Sequence, residues 1–390
     1  MIRPAAIAAP MMVVVCGEFG ELGAALYWLD GLQAGVPQLV LLPAVMAGAM
    51  PDDTIRQYRT YRCGADIRDA VLAFEPDTVL LATGYLLSEK TGLTVLDVLR
   101  ILWQLERRRV TVLTTDPLLG LTPWPAWAGS ETWRRPGKGA TLASLAYLFC
   151  LAGRVRLFRY ALRKAWHVYP APTDRLPWLN GGRRRAYRGL PPPAPAAPVT
   201  LEADQTPVWL FVLAQVDYAL LLWQPEGRQV IDTLLQRLSE VAGLGRQAVV
   251  IGPPGLVAHI HSYFGAESSV LALGTLSHTA YLGWLQRAEL AFFWNFLSFS
   301  LIHRVLAGRP VLFFDPGHMH LFPSVAAAGE RLFYDGWQPP LRRLDQPFDL
   351  DEILADADVM ARRFQVLAAG LQRSQRSAEL LAEIKASLPG

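Results

Sequence analysis

The chain is poor in charge, in cysteine and in uninterrupted apolar runs. Asp, Glu, Lys and Arg make up only 18% of its 390 residues, against 52% hydrophobic ones. A disordered chain needs the opposite balance, so that class is excluded. The Gly and Pro residues follow no repeat, which excludes a collagen-like chain. The three cysteines, Cys16, Cys63 and Cys150, are odd in number and far apart. They make neither a disulfide framework nor a zinc pattern, and a reducing cytoplasm suits them. The best apolar run, Ala140–Gly153, stops after 14 residues at Arg154, whereas a spanning helix needs about 20. The apolar stretch up to Val15 runs into a Gly-rich turn with no convincing cleavage site, so no signal peptide is expected. A phosphate-binding P-loop is missing, because Gly139 follows Gly137-Lys138 where Ser or Thr is required. The Gly-x-Ser-x-Gly elbow of serine hydrolases is missing as well.

What charge there is lies unevenly. The net charge of +3 is the sum of two unlike parts. Between Trp124 and Leu190 stand 13 basic residues against two acids, Glu131 and Asp174, a local +11. The remainder holds 24 basic and 32 acidic residues, or −8. Five of the 12 tryptophans share the basic stretch. A basic block with interleaved Trp suggests an anionic partner surface. Drawn as a helix, Val155–His167 separates Leu157, Phe158, Leu162 and Trp166 from Arg156, Arg159, Arg163, Lys164 and His167. Such a helix suits a bilayer interface; docking on the core with a solvated basic side is the plain alternative. No nucleic-acid-binding signature accompanies it. The expectation is a cytoplasmic protein, peripheral at the inner membrane face through residues 124–190, with no nucleic-acid partner.

Apolar runs alternate with helical periodicity on both sides of this stretch. Strands are expected at Met11–Val15, Gln38–Leu42, Thr78–Ala82 and Val110–Thr114, with helices over Ala24–Ala34, Asp66–Phe74 and Thr94–Arg108. A second series follows the Pro-rich Leu190–Ala197. Its strands are expected at Pro207–Leu213, Gln247–Ile251, Val270–Leu273, Leu290–Phe293 and Pro310–Phe314, and Leu350–Ser387 is helical. This pattern predicts an α/β chain with two parallel-sheet, Rossmann-like halves. The expected boundaries are 1–123, a basic insertion 124–190, a linker 191–206, and 207–390.

Ligands of open parallel sheets sit at the carboxyl ends of strands, and the candidate residues gather there. Gly17, Gly20 and Gly23 make a Gly-x-x-Gly-x-x-Gly turn after the first strand. It is not the dinucleotide fingerprint, but it lets a ligand approach backbone. Glu18 and Glu21 beside it, and Asp116 after the fourth strand, are candidate general bases. In the second half, the run from Leu290 goes from strand to a polar loop with Asn295, Ser298 and Ser300, then to a helix carrying His303 and closed by Gly308. Ser300 is expected to cap that helix, whose free amides suit a diphosphate. Gln215, Gly274, Thr275, Asp315 and His318 end neighbouring strands. His259-x-His261 and His318-x-His320 would share a face on a strand, yet no further ligand completes a metal site, and none is expected. Cys16 reads as a small buried hydrophobe rather than a reactive thiol.

Strand, short polar loop, helix, Gly308-x-Pro310, strand is similar to the donor-binding half of GT-B fold glycosyltransferases. The resemblance covers both halves and the linker in order. It implies two Rossmann-like domains facing across a cleft and a terminal helix crossing back. It also implies a nucleotide sugar as co-substrate, no cofactor, a metal-independent mechanism, and a glycan, lipid-linked or other acceptor on the N-terminal half. Many members place a Glu that grips the ribose hydroxyls where this chain has His303, which cannot accept two hydroxyls as a carboxylate does. The expected function is therefore glycosyl transfer. The alternatives are a nucleotide-sugar epimerase of the same fold and a non-catalytic, glycosyltransferase-like partner protein.

Overall fold

Met11–Val14 (β1) shows why the sheets form: all four residues are apolar and all are buried, as expected of a strand covered on both faces. The structure, a computed structural model, describes residues 9–17, 19–32, 35–51, 54–82, 87–88, 91–115, 153, 157–158, 160–170, 184–187, 206–223, 226–265, 269–296, 298–315, 317, 323–372 and 377–387. Two compact units result. One holds 1–123, 142–190 and 371–390, the other 124–141 and 191–370.

In the first unit, β1 is followed by Phe19–Asp30 (α1), Gln38–Pro43 (β2), Gln57–Tyr61 (β3), Gly64–Phe74 (α2), Thr78–Leu81 (β4), Val95–Arg107 (α3) and Thr111–Thr114 (β5). Trp166–Pro170 (β6) and Arg184–Tyr187 (β7) complete a seven-stranded sheet of order β3-β2-β1-β4-β5-β6-β7. Every pairing in it is parallel. Thr94 caps α3 by accepting from the Asp97 amide, and Asp97 returns the bond to the Thr94 amide, a capping box.

The basic insertion is corrected by these strands. Residues 142–190 divide with the first unit, so 124–190 is not a separate body. The amphipathic helix expected over Val155–His167 stops before Trp166, which opens β6 and pairs with Leu113. Trp166, His167 and Val168 are buried in the sheet layer, and Phe158 and Leu162 pack into the same core. Helical periodicity in a short apolar run yields here to a free edge at β5 that needs a partner. The missed strand β3 has mostly exposed, polar residues, as an outer strand permits. Arg184 and Arg185 contribute backbone to β7, while Arg183, Trp124–Trp133 and Cys150 lie outside the described residues.

The second unit runs Val208–Val212 (β8), Gln215–Trp223 (α4), Gly227–Gly243 (α5), Gln247–Ile251 (β9), Pro254–Phe264 (α6), Val270–Leu273 (β10), His278–Arg287 (α7), Leu290–Phe293 (β11), Ser300–Leu306 (α8), Val311–Asp315 (β12), Pro323–Phe333 (α9), Leu341–Arg343 (β13) and Leu350–Gln372 (α10). Its sheet order is β10-β9-β8-β11-β12-β13, again parallel. Aromatics fill both faces. Phe211, Phe292, Phe314 and Phe348 stack on one side with centroids 4.6–6.3 Å apart. Phe313, Phe296 and Tyr334 meet on the other. These layers account for the high hydrophobic fraction without a membrane span, and no described helix is long and apolar enough to cross one.

The terminal helix Ser377–Ala386 (α11) returns to the first unit. The Ala378 amide bonds Gly31 O at 3.2 Å, and Lys385 pairs with Asp77. A side chain at Gly31 would strike Ser377, so the glycine admits this helix.

Candidate functional site

Both sheets have the strand order in which the winding reverses beside the first strand, and this reversal opens a crevice at the carboxyl ends. In the second unit it lies between β8 and β11. Leu213 and Ala214 leave β8, the Ala214 carbonyl accepts the Tyr218 amide at 2.9 Å, and Gln215 begins α4 exposed to solvent. Trp294, Asn295 and Ser298 leave β11 beside it. One strand further out, Asp315 ends β12 in register with Arg343. Gly317 follows, and a Cβ there would lie 2.7 Å from the carbonyl oxygens of both Trp294 and Phe314. Only glycine lets the exit of β12 pass the exit of β11 this closely. Sequence reasoning missed this position; its signal was the Asp-Pro-Gly turn.

Ser300 does not cap α8. The cap position is Phe299, helical in backbone and without a side-chain bond, and Ser300 is the first helical residue. The Ser300 hydroxyl is spent on Tyr281 of α7, whose phenol is buried. Local capping preference yields to a tertiary partner. His303 sits one turn on, its ring centroid 6.3 Å from that of His278. Burial, reinforced by His278, pushes its imidazole down to about 3 from an ordinary 6.5. His303 is therefore neutral at pH 7. It can offer a hydrogen bond but not the positive charge for a diphosphate that a histidine there would otherwise supply.

The same burial predicts acid sensitivity. Between the folded value near 3 and the unfolded 6.5, the unfolded chain binds the extra proton, so stability is complete above 6.5 and falls as pH drops below it. The loss is at most about 1.4 kcal/mol per pH unit. His303→Asn is expected to melt less steeply than the parent between about pH 6.5 and 4. Parallel melting curves against pH would refute this.

The outer candidates separate. Gly274 and Thr275 follow β10 at the sheet edge, three strands from β11, or about 14 Å at ordinary strand spacing. Ser277 caps α7 by accepting the Ala280 amide at 3.2 Å. His259 and His261 lie on α6, not on a strand, where residues two apart point to different sides. His259 instead meets the Tyr218 hydroxyl at 3.1 Å. No group of three metal-ligating side chains occurs among the described residues.

In the first unit the reversal lies between β1 and β4. Cys16 is buried at the end of β1. The Tyr61 hydroxyl donates to Val15 O at 2.7 Å and fixes that exit. Gly17 is in the turn, but Gly20 and Gly23 belong to α1, so the expected three-glycine turn shortens to one. Glu21, in the first turn of α1, accepts from Thr115 Oγ1 at 3.5 Å. Thr115 follows β5 and β4 lies between β1 and β5, so this bond bridges the end of β4 at the reversal. Glu18, Asp116 and His318 lie outside the described residues.

Arg304, on the same helix, has a structural role. It points to the amino-terminal side of the sheet and is 1% exposed. Its guanidinium donates to Leu285 O at 2.7 Å, Ala288 O at 2.8 Å, Glu289 O at 3.2 Å and Pro310 O at 2.6 Å. It thus satisfies the carbonyls that end α7 and those that enter β11 and β12. Burial, with Arg309 nearby, pulls its pKa down to about 9, so it remains charged at neutral pH.

No protein-family profile and no curated protein matches the sequence. Solved structures do match the fold. The glycosyltransferase SsfS6 of Streptomyces sp. SF2575, complexed with thymidine diphosphate, is 11% identical over 97% of this chain and 100% of its own, with a TM-score of 0.53. The UDP-GlcNAc 2-epimerase from Neisseria meningitidis bound to UDP-GlcNAc is 10% identical over 97% and 100%, also with a TM-score of 0.53. S. aureus MnaA with UDP is 8% identical over 97% and 96%, with a TM-score of 0.52. With two parallel Rossmann-like sheets of matching strand order, the chain has the GT-B fold of glycosyltransferases and UDP-GlcNAc 2-epimerases, as a divergent example.

Proposed function

We propose that the protein binds a nucleotide sugar at the carboxyl rim of the second sheet and transfers the sugar to an acceptor hydroxyl. The observation that carries this is the strand-order reversal at β8 and β11. There α4 opens after β8, Trp294, Asn295 and Ser298 follow the neighbouring β11, and Gly317 lets the exit of β12 pass close to Trp294 O. Backbone amides are suited to a diphosphate, and they are needed here because His303 is uncharged. The solved relatives of both kinds were captured with a nucleoside diphosphate or its sugar. In the reaction, an acceptor oxygen bonds the anomeric carbon as the bond to the diphosphate oxygen breaks. The acceptor proton passes to a carboxylate, for which Glu21 is the proposed base. The diphosphate leaves with its charge held by the amides.

The equal similarity to an epimerase favours a second reading, in which the sugar changes configuration and no acceptor is used. One series tests both. Melting is followed with UDP, TDP, GDP and their common sugar derivatives. The matching nucleotide at about 100 times its dissociation constant should add about 2.7 kcal/mol, several degrees of melting temperature. No shift with any of them would sink nucleotide-sugar binding. NMR of the selected sugar, incubated without acceptor, then separates the readings: a new isomer identifies the epimerase.

A further inference from the structure

The outer face of α3 is built unlike a solvated helix face. Val98, Ile101 and Leu105 turn into the core. Directly opposite, at helical spacing, stand Leu96, Arg100, Trp103 and Arg107, all exposed, with Trp103 59% exposed. The Arg107 guanidinium lies 4.6 Å from the Trp103 ring centroid. A second segment comes alongside, because Lys164 pairs with Glu106 of α3. It carries Leu157 and Tyr160, the latter 66% exposed, with the Arg163 guanidinium 3.7 Å from the Tyr160 ring. Arg108 and Arg109 follow at the end of the helix and are exposed. Four cations thus stand among these apolar side chains: Arg100, Arg107, Arg163 and Lys164. Glu106, the one acid on this face among the described residues of α3 and 157–164, is engaged by Lys164.

We infer that this face of the first unit, made by α3 and residues 157–164, docks on an anionic lipid bilayer. Exposed Trp and Tyr, each with a cation beside its ring, carry an apolar body and a polar edge that suit the headgroup boundary. The surplus of positive charge is complementary to acidic lipid, and each cation near such a surface contributes a factor of about five to binding. A protein partner fits less well, since the apolar side chains are separated by charges instead of lining a groove. The surface differs from that expected of the amphipathic Val155–His167 segment. There Phe158, Leu162 and Trp166 are buried, and only the outward side chains of 157–164 take part. The inference does not depend on the reaction proposed above.

Sedimentation of the full chain with vesicles tests it. The parent should pellet with vesicles of equal parts phosphatidylglycerol and phosphatidylcholine and stay in solution with phosphatidylcholine alone. Arg100→Gln with Arg107→Gln should lower partitioning about 30-fold, and Trp103→Ser should lower it several-fold at unchanged melting temperature. Equal recovery with both vesicle types would overturn the inference. So would variants that pellet like the parent. Pelleting or self-association without vesicles would instead assign the face to a protein contact and overturn it too.

Discussion

Arg304→Met is expected to lower the melting temperature of the second unit by about 10 °C, a loss of about 3–5 kcal/mol. The methionine fills much of the same volume, so the effect isolates the guanidinium. The backbone carbonyls of Leu285, Glu289 and Pro310 lose the donor that Arg304 supplies, while Ala288 O keeps only Arg309 at 3.3 Å. Each buried acceptor left unsatisfied costs about 1–3 kcal/mol before relaxation. Arg304→Lys should recover little, because an ammonium cannot span four acceptors with a planar fork. Calorimetry of the three proteins decides it. A methionine variant melting within a degree of the parent would show that the carbonyls find other partners.

Glu21→Gln is expected to lower turnover by about 10²–10⁴-fold if the carboxylate takes the acceptor proton. The amide keeps the shape and still accepts from Thr115 Oγ1, but it cannot hold a proton. The nucleotide-induced melting shift should not change, since the donor is proposed to bind the second unit. Thr115→Val should cost about tenfold or less, because one 3.5 Å bond orients the carboxylate without touching substrate. The readout is nucleoside diphosphate released from the sugar nucleotide that the melting series selects. Full turnover in the Gln variant would move the base elsewhere and reject Glu21.

Most elements that carry their own period were legible. Val208–Val212 and Leu290–Phe293 are apolar on both faces, and this pattern predicts parallel strands between helices. The end of α8 was equally plain: Gly308 takes a positive φ of 63°, which a side chain disfavours, and Pro310 prevents the helix from continuing. Elements at sheet edges were not legible. β3 and the three-residue β13 are polar and short, because an outer strand need not be apolar on both faces. The rim candidates Gln215, Asn295, Ser298 and Asp315 were read from one rule, that loops after parallel strands face the crevice, and the strand order puts them at or next to the reversal.

By itself the sequence determined the class of the fold and which polar residues end its strands, since hydrophobic period and turn residues act over a few neighbours along the chain. Tertiary structure alone decided what several of those residues do. Trp166 joins a strand because β5 offered an unpaired edge, Ser300 serves Tyr281 in place of its own helix, and His303 loses its charge through burial near His278. Arg304 becomes the tie for four carbonyls that are 6 to 19 residues away in sequence. Burial, pairing edges and charge states are set by neighbours in space, and no spacing along the chain encodes them.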